Sequence, residues 1–422
     1  MANAVAKYGT FKDSLSAPVH RWFTYPAGYS YRLVEAKAAE FGLSTRSLIA
    51  DPFLGTGTTS LAAKKLGIDS IGVEAHPFVH WVARTKLDLN HDTDLLGKEA
   101  KLLLEHASDI RTEMGYRSAG WPELVEKCFD QENLDALYAL RTAILKLGSE
   151  RQAFFKLALT AALRDTTSAG AGWPYIAPSK FAERKVRRDA FDEFTKRCAI
   201  MVEDVENFIE IESFHSVING DARKLASYVN ERKVDMILTS PPYLNNYDYA
   251  DRTRLETYFW GLYDSWADIT ANVRNKLMMA ATTQVHRNKM ARTIEMSLVR
   301  SIDPLVHAEL SDAVSRLGIL RKQKSGKKSY DLMTAGYFED MARVITQAHS
   351  VLKPGCPFIL VLGDSAPYGV HVPTDEFIGK LALGAGFTSF SVEVIRNRGN
   401  KWPSNAQRHK VPLRESIVTV TR

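Results

Sequence analysis

Cysteine is nearly absent from the chain. Only Cys128, Cys198 and Cys356 occur in 422 residues, and none stands in a Cys-x-x-Cys or Cys/His spacing. Neither a disulfide framework nor a zinc site is supported, no bound metal is expected, and a reducing compartment fits. Long apolar runs are missing too. No segment approaches the roughly 18 apolar residues of a membrane span, and the opening MANAVAKYGTFKD has no core of signal-peptide length. A cytoplasmic protein without membrane contact is the expectation. Neither sign of charge dominates, since 55 Lys and Arg face 49 Asp and Glu for a net +6. That mild excess suits an acidic polymer as partner without demanding one. Internal repeats and long low-complexity segments are also lacking, which sets solenoids and disordered chains aside.

What is present is an ordinary globular composition, 45% hydrophobic and 25% charged, in a chain long enough for two or three lobes at roughly 150 residues each. Short β-like runs at 46–53 and 69–76 flank a helical pattern over about 59–66, which makes a βαβ unit. A second strand group follows much later, at 234–240, 356–364, 388–397 and 415–421, and is expected in the same sheet. Between the groups, residues 92–212 read as a helical insertion, broken at 166–189 by a Gly/Pro/Ser loop with a basic run behind it. Residues 265–335 read as a second insertion with an exposed basic loop, RKQKSGKKS. The expected divisions are therefore 1–91, 92–212, 213–264, 265–335 and 336–422.

Two motifs carry chemistry. DPFLGTGTTS sets Asp51, Phe53, Gly55, Gly57 and Thr58 between a strand and a helix, where glycines let a backbone approach a ligand closely. No Gly-Lys-Ser/Thr follows, so this is not a P-loop. Glu74 ends the next strand, where a carboxylate can accept two ribose hydroxyls, and Asp221 follows another strand, placed to accept from an adenine amine. The other motif is LTSPPY. Its two prolines must end the strand, and they leave the carbonyls of Ser240 and Pro241 outside any ladder as fixed acceptors. With the Ser240 hydroxyl, such a floor can hold a planar exocyclic amine, while Pro242 stiffens the turn and Tyr243 offers a ring for stacking.

These residues resemble the amino-group DNA methyltransferases that use S-adenosylmethionine. The resemblance implies a class I, Rossmann-like α/β fold: a mixed sheet with helices on both faces, here with a mainly helical insertion. It identifies DPFLGTG with the cofactor motif, Glu74 and Asp221 with the ribose and adenine acids, and Ser240 to Tyr243 with a catalytic tetrapeptide whose Ser is usual for cytosine-N4 enzymes. RWFTYPAGYSYRLVE, with Tyr25 and Pro26, is similar to the segment that closes over the methionine part of the cofactor. The order here, cofactor motif before catalytic motif, departs from that common among cytosine-N4 enzymes and leaves the target-recognition region open. A Pro-Cys nucleophile is absent, which argues against C5 methylation.

Double-stranded DNA is the implied partner, with a cognate restriction nuclease or defence partner as a further candidate. Asn245, Asn246, Tyr247, Asp248 and Tyr249 are expected to line the base or its neighbours, and Arg187, Arg188, Arg398, Lys401 and Trp402 to meet phosphate or stack. Adenine-N6 transfer shares the same floor chemistry. Guanine-N2 methylation of RNA and a non-catalytic DNA-binding subunit are the other readings. Leu255, Tyr258, Phe259 and Leu262 have the spacing of core, and Asp251 and Arg252 that of a surface pair.

Overall fold

The computed structural model describes residues 6–25, 28–114, 120–167, 169–172, 175–181, 188–285, 295–323, 328–398 and 411–422. Nine strands occur among them: β1 (Leu48–Asp51), β2 (Asp69–Glu74), β3 (Ala169–Gly172), β4 (Tyr175–Phe181), β5 (His215–Asn219), β6 (Met236–Thr239), β7 (Pro357–Gly363), β8 (Ser389–Arg398) and β9 (Leu413–Thr421). Seven make one sheet in the order β5-β2-β1-β6-β7-β9-β8. The pairs from β5 to β7 are parallel, and β9 runs antiparallel to both of its neighbours. This is the class I arrangement that the resemblance implies, and both strand groups lie in it.

Strand alternation explains how the sheet is covered on both sides. Ile49, Met236, Leu238, Ile359, Val361 and Ile417 point to one face, where they meet Leu33, Val34 and Ala38 of helix Tyr31–Glu40 and Ala62 and Ala63 of helix Thr58–Leu66. Their sequence neighbours Leu48, Ala50, Ile237, Phe358, Leu360, Val418 and Val420 point to the other face, against helices Tyr330–Val351 and Thr374–Gly384.

The 92–212 segment supplies helices Thr93–Met114, Gln131–Leu145, Ser149–Thr166 and Ala190–Asn207. Their apolar sides form one core with Trp22, Phe23, Phe78 and Val82, and with Leu255 and Phe259 behind the SPPY turn. A buried ion cluster ties the same bodies together. Glu256, with no exposed surface, holds the Arg164 guanidinium at 2.5 and 3.1 Å and Arg252 at 3.4 Å. Arg252 also donates to the Thr24 carbonyl.

Several expectations need correction. The loop expected at 166–189 contains an antiparallel hairpin, β3–β4, whose Gly- and Ala-rich strand gives no alternating pattern. Helix Tyr330–Val351 runs through the boundary expected at 335, so that division cuts one continuous element. Arg252 is 3% exposed and bonded inside the cluster rather than on a surface, and Asp251 pairs with Arg254 instead. Leu262 is 48% exposed, because the helix Arg254–Phe259 has already ended. No helix among the described residues is long and apolar enough to cross a membrane.

Candidate active site

The strand order reverses direction between β1 and β6, and parallel α/β sheets bind ligands outside the carboxyl ends of the strands at such a point. A cleft opens there. Phe53, Leu54, Gly55 and Thr58 line it from the turn after β1, Glu74 from the end of β2, Asp221 from the turn after β5, and Ser240 and Pro242 from the turn after β6. Tyr25 and Tyr29 close one side, and Tyr249, Lys276, Met278 and Gln284 close another.

The glycine turn is built from below. Asp51, 2% exposed, accepts from Thr59 Oγ1 and Thr239 Oγ1 at 2.5 Å each, from the Tyr29 hydroxyl at 3.0 Å and from the Phe53 N–H at 3.0 Å. It thereby fastens β1 to the end of β6, directly before Ser240. Asp51 lies under the cleft and outside its lining. Gly57 caps the following helix at φ +93°, a conformation that a side chain resists. Gly72 on β2 admits Leu54 so closely that a Cβ there would meet Leu54 Cδ2 at 2.4 Å. The turn therefore rests on the strand itself.

Glu74 accepts the Gly55 N–H at 2.9 Å and the His76 N–H at 2.7 Å, one on each oxygen. Burial pushes its carboxyl up to about 7 against the pull of the His76, Gly55 and Ala75 N–H groups. His76 is held neutral, its pKa lowered to about 4 by burial; Nδ1 accepts from the Phe78 N–H and Nε2 meets Thr253 Oγ1 at 2.7 Å. Asp221 reaches the cleft already engaged: Arg223 forks onto both its oxygens at 2.8 to 3.0 Å and bridges to Asp340 at 3.0 Å.

After β6, Pro241 is buried beneath the turn while Ser240 and Pro242 face the cleft. The Tyr243 ring, 3% exposed, sits outside the lining. Its hydroxyl donates to Glu415 Oε1 at 2.7 Å, and the Arg398 guanidinium stands over its ring at 5.2 Å. Asn245 adopts φ +57° and donates its N–H to the Ala280 carbonyl, and Tyr247 meets Tyr249 edge to face at 6.1 Å. Arg188 is far along the chain and paired with Asp165 at 3.3 Å. Pro26, Arg187, Lys401 and Trp402 lie outside the described residues.

Comparison with known proteins adds an independent line. Residues 23–84 match the family model described as DNA methylase. The Type II methyltransferase M.BsoBI of Geobacillus stearothermophilus is 24% identical, aligned over 98% of this chain and 87% of its own. M.AvaI of Nostoc sp. is 23% identical over 97% of this chain and 88% of its own, and M.MvaI of Kocuria varians 19% over 86% and 80%. These likenesses support an amino-group DNA methyltransferase. Among solved structures, the rRNA methyltransferase aviRa of Streptomyces viridochromogenes covers the whole chain at a TM-score of 0.33 and 10% identity.

The parts of the site that sequence reasoning missed are instructive. Glu415 comes from β9 and reaches the tetrapeptide only because this strand folds back beside β7; Arg398 of β8, already a phosphate candidate from the sequence, comes to the Tyr243 ring by the same fold-back. Lys276, Met278 and Gln284 belong to the segment read as a second insertion, yet form a wall of the cleft. Tyr249 was not missed: it was expected among the lining residues behind the tetrapeptide, and it lines the cleft. Glu415 on β9 had no signal in the sequence.

Proposed function

We propose that the protein transfers a methyl group from S-adenosylmethionine to the exocyclic N4 amine of a cytosine turned out of double-stranded DNA, in a restriction-modification or defence setting in the cytoplasm. The observation that carries this reading is one cleft lined by both motifs, the glycine turn with Glu74 and the Ser240–Pro242 floor. The residues fit the cofactor. Gly55 brings bare backbone to the cleft at φ +57°, Phe53, Leu54, Val73 and Met278 offer apolar walls, and the Glu74 carboxylate lines the cleft where a ribose hydroxyl can reach it. When bound, S-adenosylmethionine supplies an electrophilic methyl on a sulfonium.

The chain's own work is positioning and polarity. Ser240 Oγ and the Pro241 carbonyl accept the two amine hydrogens, which draws the nitrogen lone pair out of conjugation and aims it for in-line attack. The Pro-Pro turn holds these acceptors without reorganisation. The base must first leave the helix, at a cost of a few kcal/mol. Arg398 borders the tetrapeptide and suits a phosphate or a flanking base, and Asn245 and Tyr247 the neighbouring nucleotides.

Adenine-N6 transfer is the second reading, because the same floor receives any planar exocyclic amine and the Ser at 240 only biases the choice. Mass identification of the methylated nucleoside after transfer of labelled methyl to unmethylated DNA separates the two. N4-methylcytosine is expected, and N6-methyladenine alone overturns the cytosine assignment.

A further inference from the structure

Methylation of a neutral amine leaves the nitrogen positively charged with one proton to lose, and the floor residues have no carboxylate of their own to take it. Glu415 is the carboxylate hydrogen-bonded to the tetrapeptide, through Tyr243. It is 2% exposed, it faces Gly363 in the β7 ladder, and it accepts the Tyr243 hydroxyl at 2.7 Å while its other oxygen is bound by Arg396 Nε. The Ser240 side chain in turn hydrogen-bonds to the Tyr243 hydroxyl. Cleft, serine, tyrosine and carboxylate thus follow one another without a break.

We propose that Ser240, Tyr243 and Glu415 form a proton path from the methylated amine to a buried carboxylate. The inference rests on the amine-methylation reading above. As the methyl–sulfur bond of the sulfonium breaks and the carbon–nitrogen bond forms, the amine N–H passes to Ser240 Oγ. The Ser240 proton moves to Tyr243 Oη, and the Tyr243 proton moves to Glu415 Oε1. Glu415 ends as a neutral acid, the product amine is neutral, and the proton leaves to water when the product departs. Burial, with Glu415 beside it, holds the Tyr243 phenol well above its ordinary pKa, so it rests as a neutral hydroxyl aimed at the carboxylate. The path also explains how a serine serves at this floor. A hydroxyl has a proton of its own to place, and placing it on Tyr243 leaves Ser240 an acceptor toward the amine. Glu415 acts through Tyr243 and is a positioning residue in this scheme.

The test is single-turnover methyl transfer to unmethylated DNA by the full chain, comparing wild type with Glu415→Gln, Tyr243→Phe and the double variant. Gln still accepts the phenol's hydrogen bond but cannot take its proton, and Arg396, with a half-exposed side chain, is left in water rather than buried unpaired. Each single change is expected to slow transfer about a hundredfold, the ordinary range for a positioned acid–base group being ~10²–10⁴. The double variant should be no slower than the slower single, with melting temperature and DNA affinity unchanged. The solvent deuterium isotope effect of the wild type should vanish in Tyr243→Phe, a readout independent of how well Glu415→Gln folds. A wild-type rate in Glu415→Gln, losses that multiply, or an isotope effect that persists overturns the path. No transfer by the wild type to any cytosine or adenine overturns the underlying reading instead.

Discussion

Glu74 faces two opposed demands. Its pKa is raised to about 7 by burial, from an ordinary 4.5, so between those values the native state holds a proton that the unfolded chain has lost. That contribution to stability is complete below about 4.5 and is lost as pH rises through about 7. Binding runs the other way, because ribose hydroxyls need the carboxylate. Cofactor affinity measured by calorimetry is therefore expected to rise from pH 6 to pH 8. Glu74→Gln should flatten that dependence, weaken binding, and raise the melting temperature at pH 8 by removing the buried charge. A Glu74→Gln protein that keeps the wild-type pH dependence contradicts the assignment. Arg398 poses a second question at this scale, since it covers the ring on which a base would stack. Arg398→Ala is expected to lower the salt slope of DNA binding by about one, the signature of a lost phosphate contact, while transfer persists. An unchanged slope would leave Arg398 as a cover for Tyr243 alone.

Among the elements, the strand–turn–helix at 48–66 was legible because each residue type has one local job. A continuous apolar run, buried on both faces, makes β1, Gly57 turns the chain at φ +93°, and Thr58 opens the helix. Gly57→Ala should cost about 1–3 kcal/mol through its backbone conformation and weaken cofactor binding. Gly72→Ala should act from the neighbouring strand by pushing Leu54 and with it the Gly55 N–H. Thermal melts and cofactor titration check both, and a Gly72→Ala protein with native affinity would show that Leu54 yields without moving the turn. The β3–β4 hairpin was not legible, since AGAG carries neither alternation nor β-branched residues. The helix across residue 335 was hidden by the basic loop just before it, which looked like a boundary. Within the site, the tetrapeptide and the glycine turn declared themselves by composition. Glu415 could not, because a lone acid in a strand acquires meaning only from the residue that the register places opposite it.

The whole molecule is held together by more than its sheet. One apolar core spans the N-terminal turns, the insertion helices and the segment behind the SPPY turn, and the Glu256 cluster crosses the same junction. Removing the buried Glu256 carboxylate takes the counter-charge from Arg252, whose side chain is 3% exposed, and breaking such a buried pair typically costs about 3–5 kcal/mol. Glu256→Ala is therefore expected to lower the melting temperature markedly and to reduce transfer, because Arg252 and Tyr249 share one short segment next to the cleft. A melt indistinguishable from wild type would mean that the insertion docks by its apolar face alone. The central claim concerns the cleft that these bodies enclose. Its most direct test is labelled methyl transfer from S-adenosylmethionine to unmethylated DNA, with the modified nucleoside identified by mass and a Ser240→Ala variant alongside. N4-methylcytosine formed by the wild type and lost in the variant is the predicted result, and label absent from DNA, or retained in full by Ser240→Ala, would contradict it.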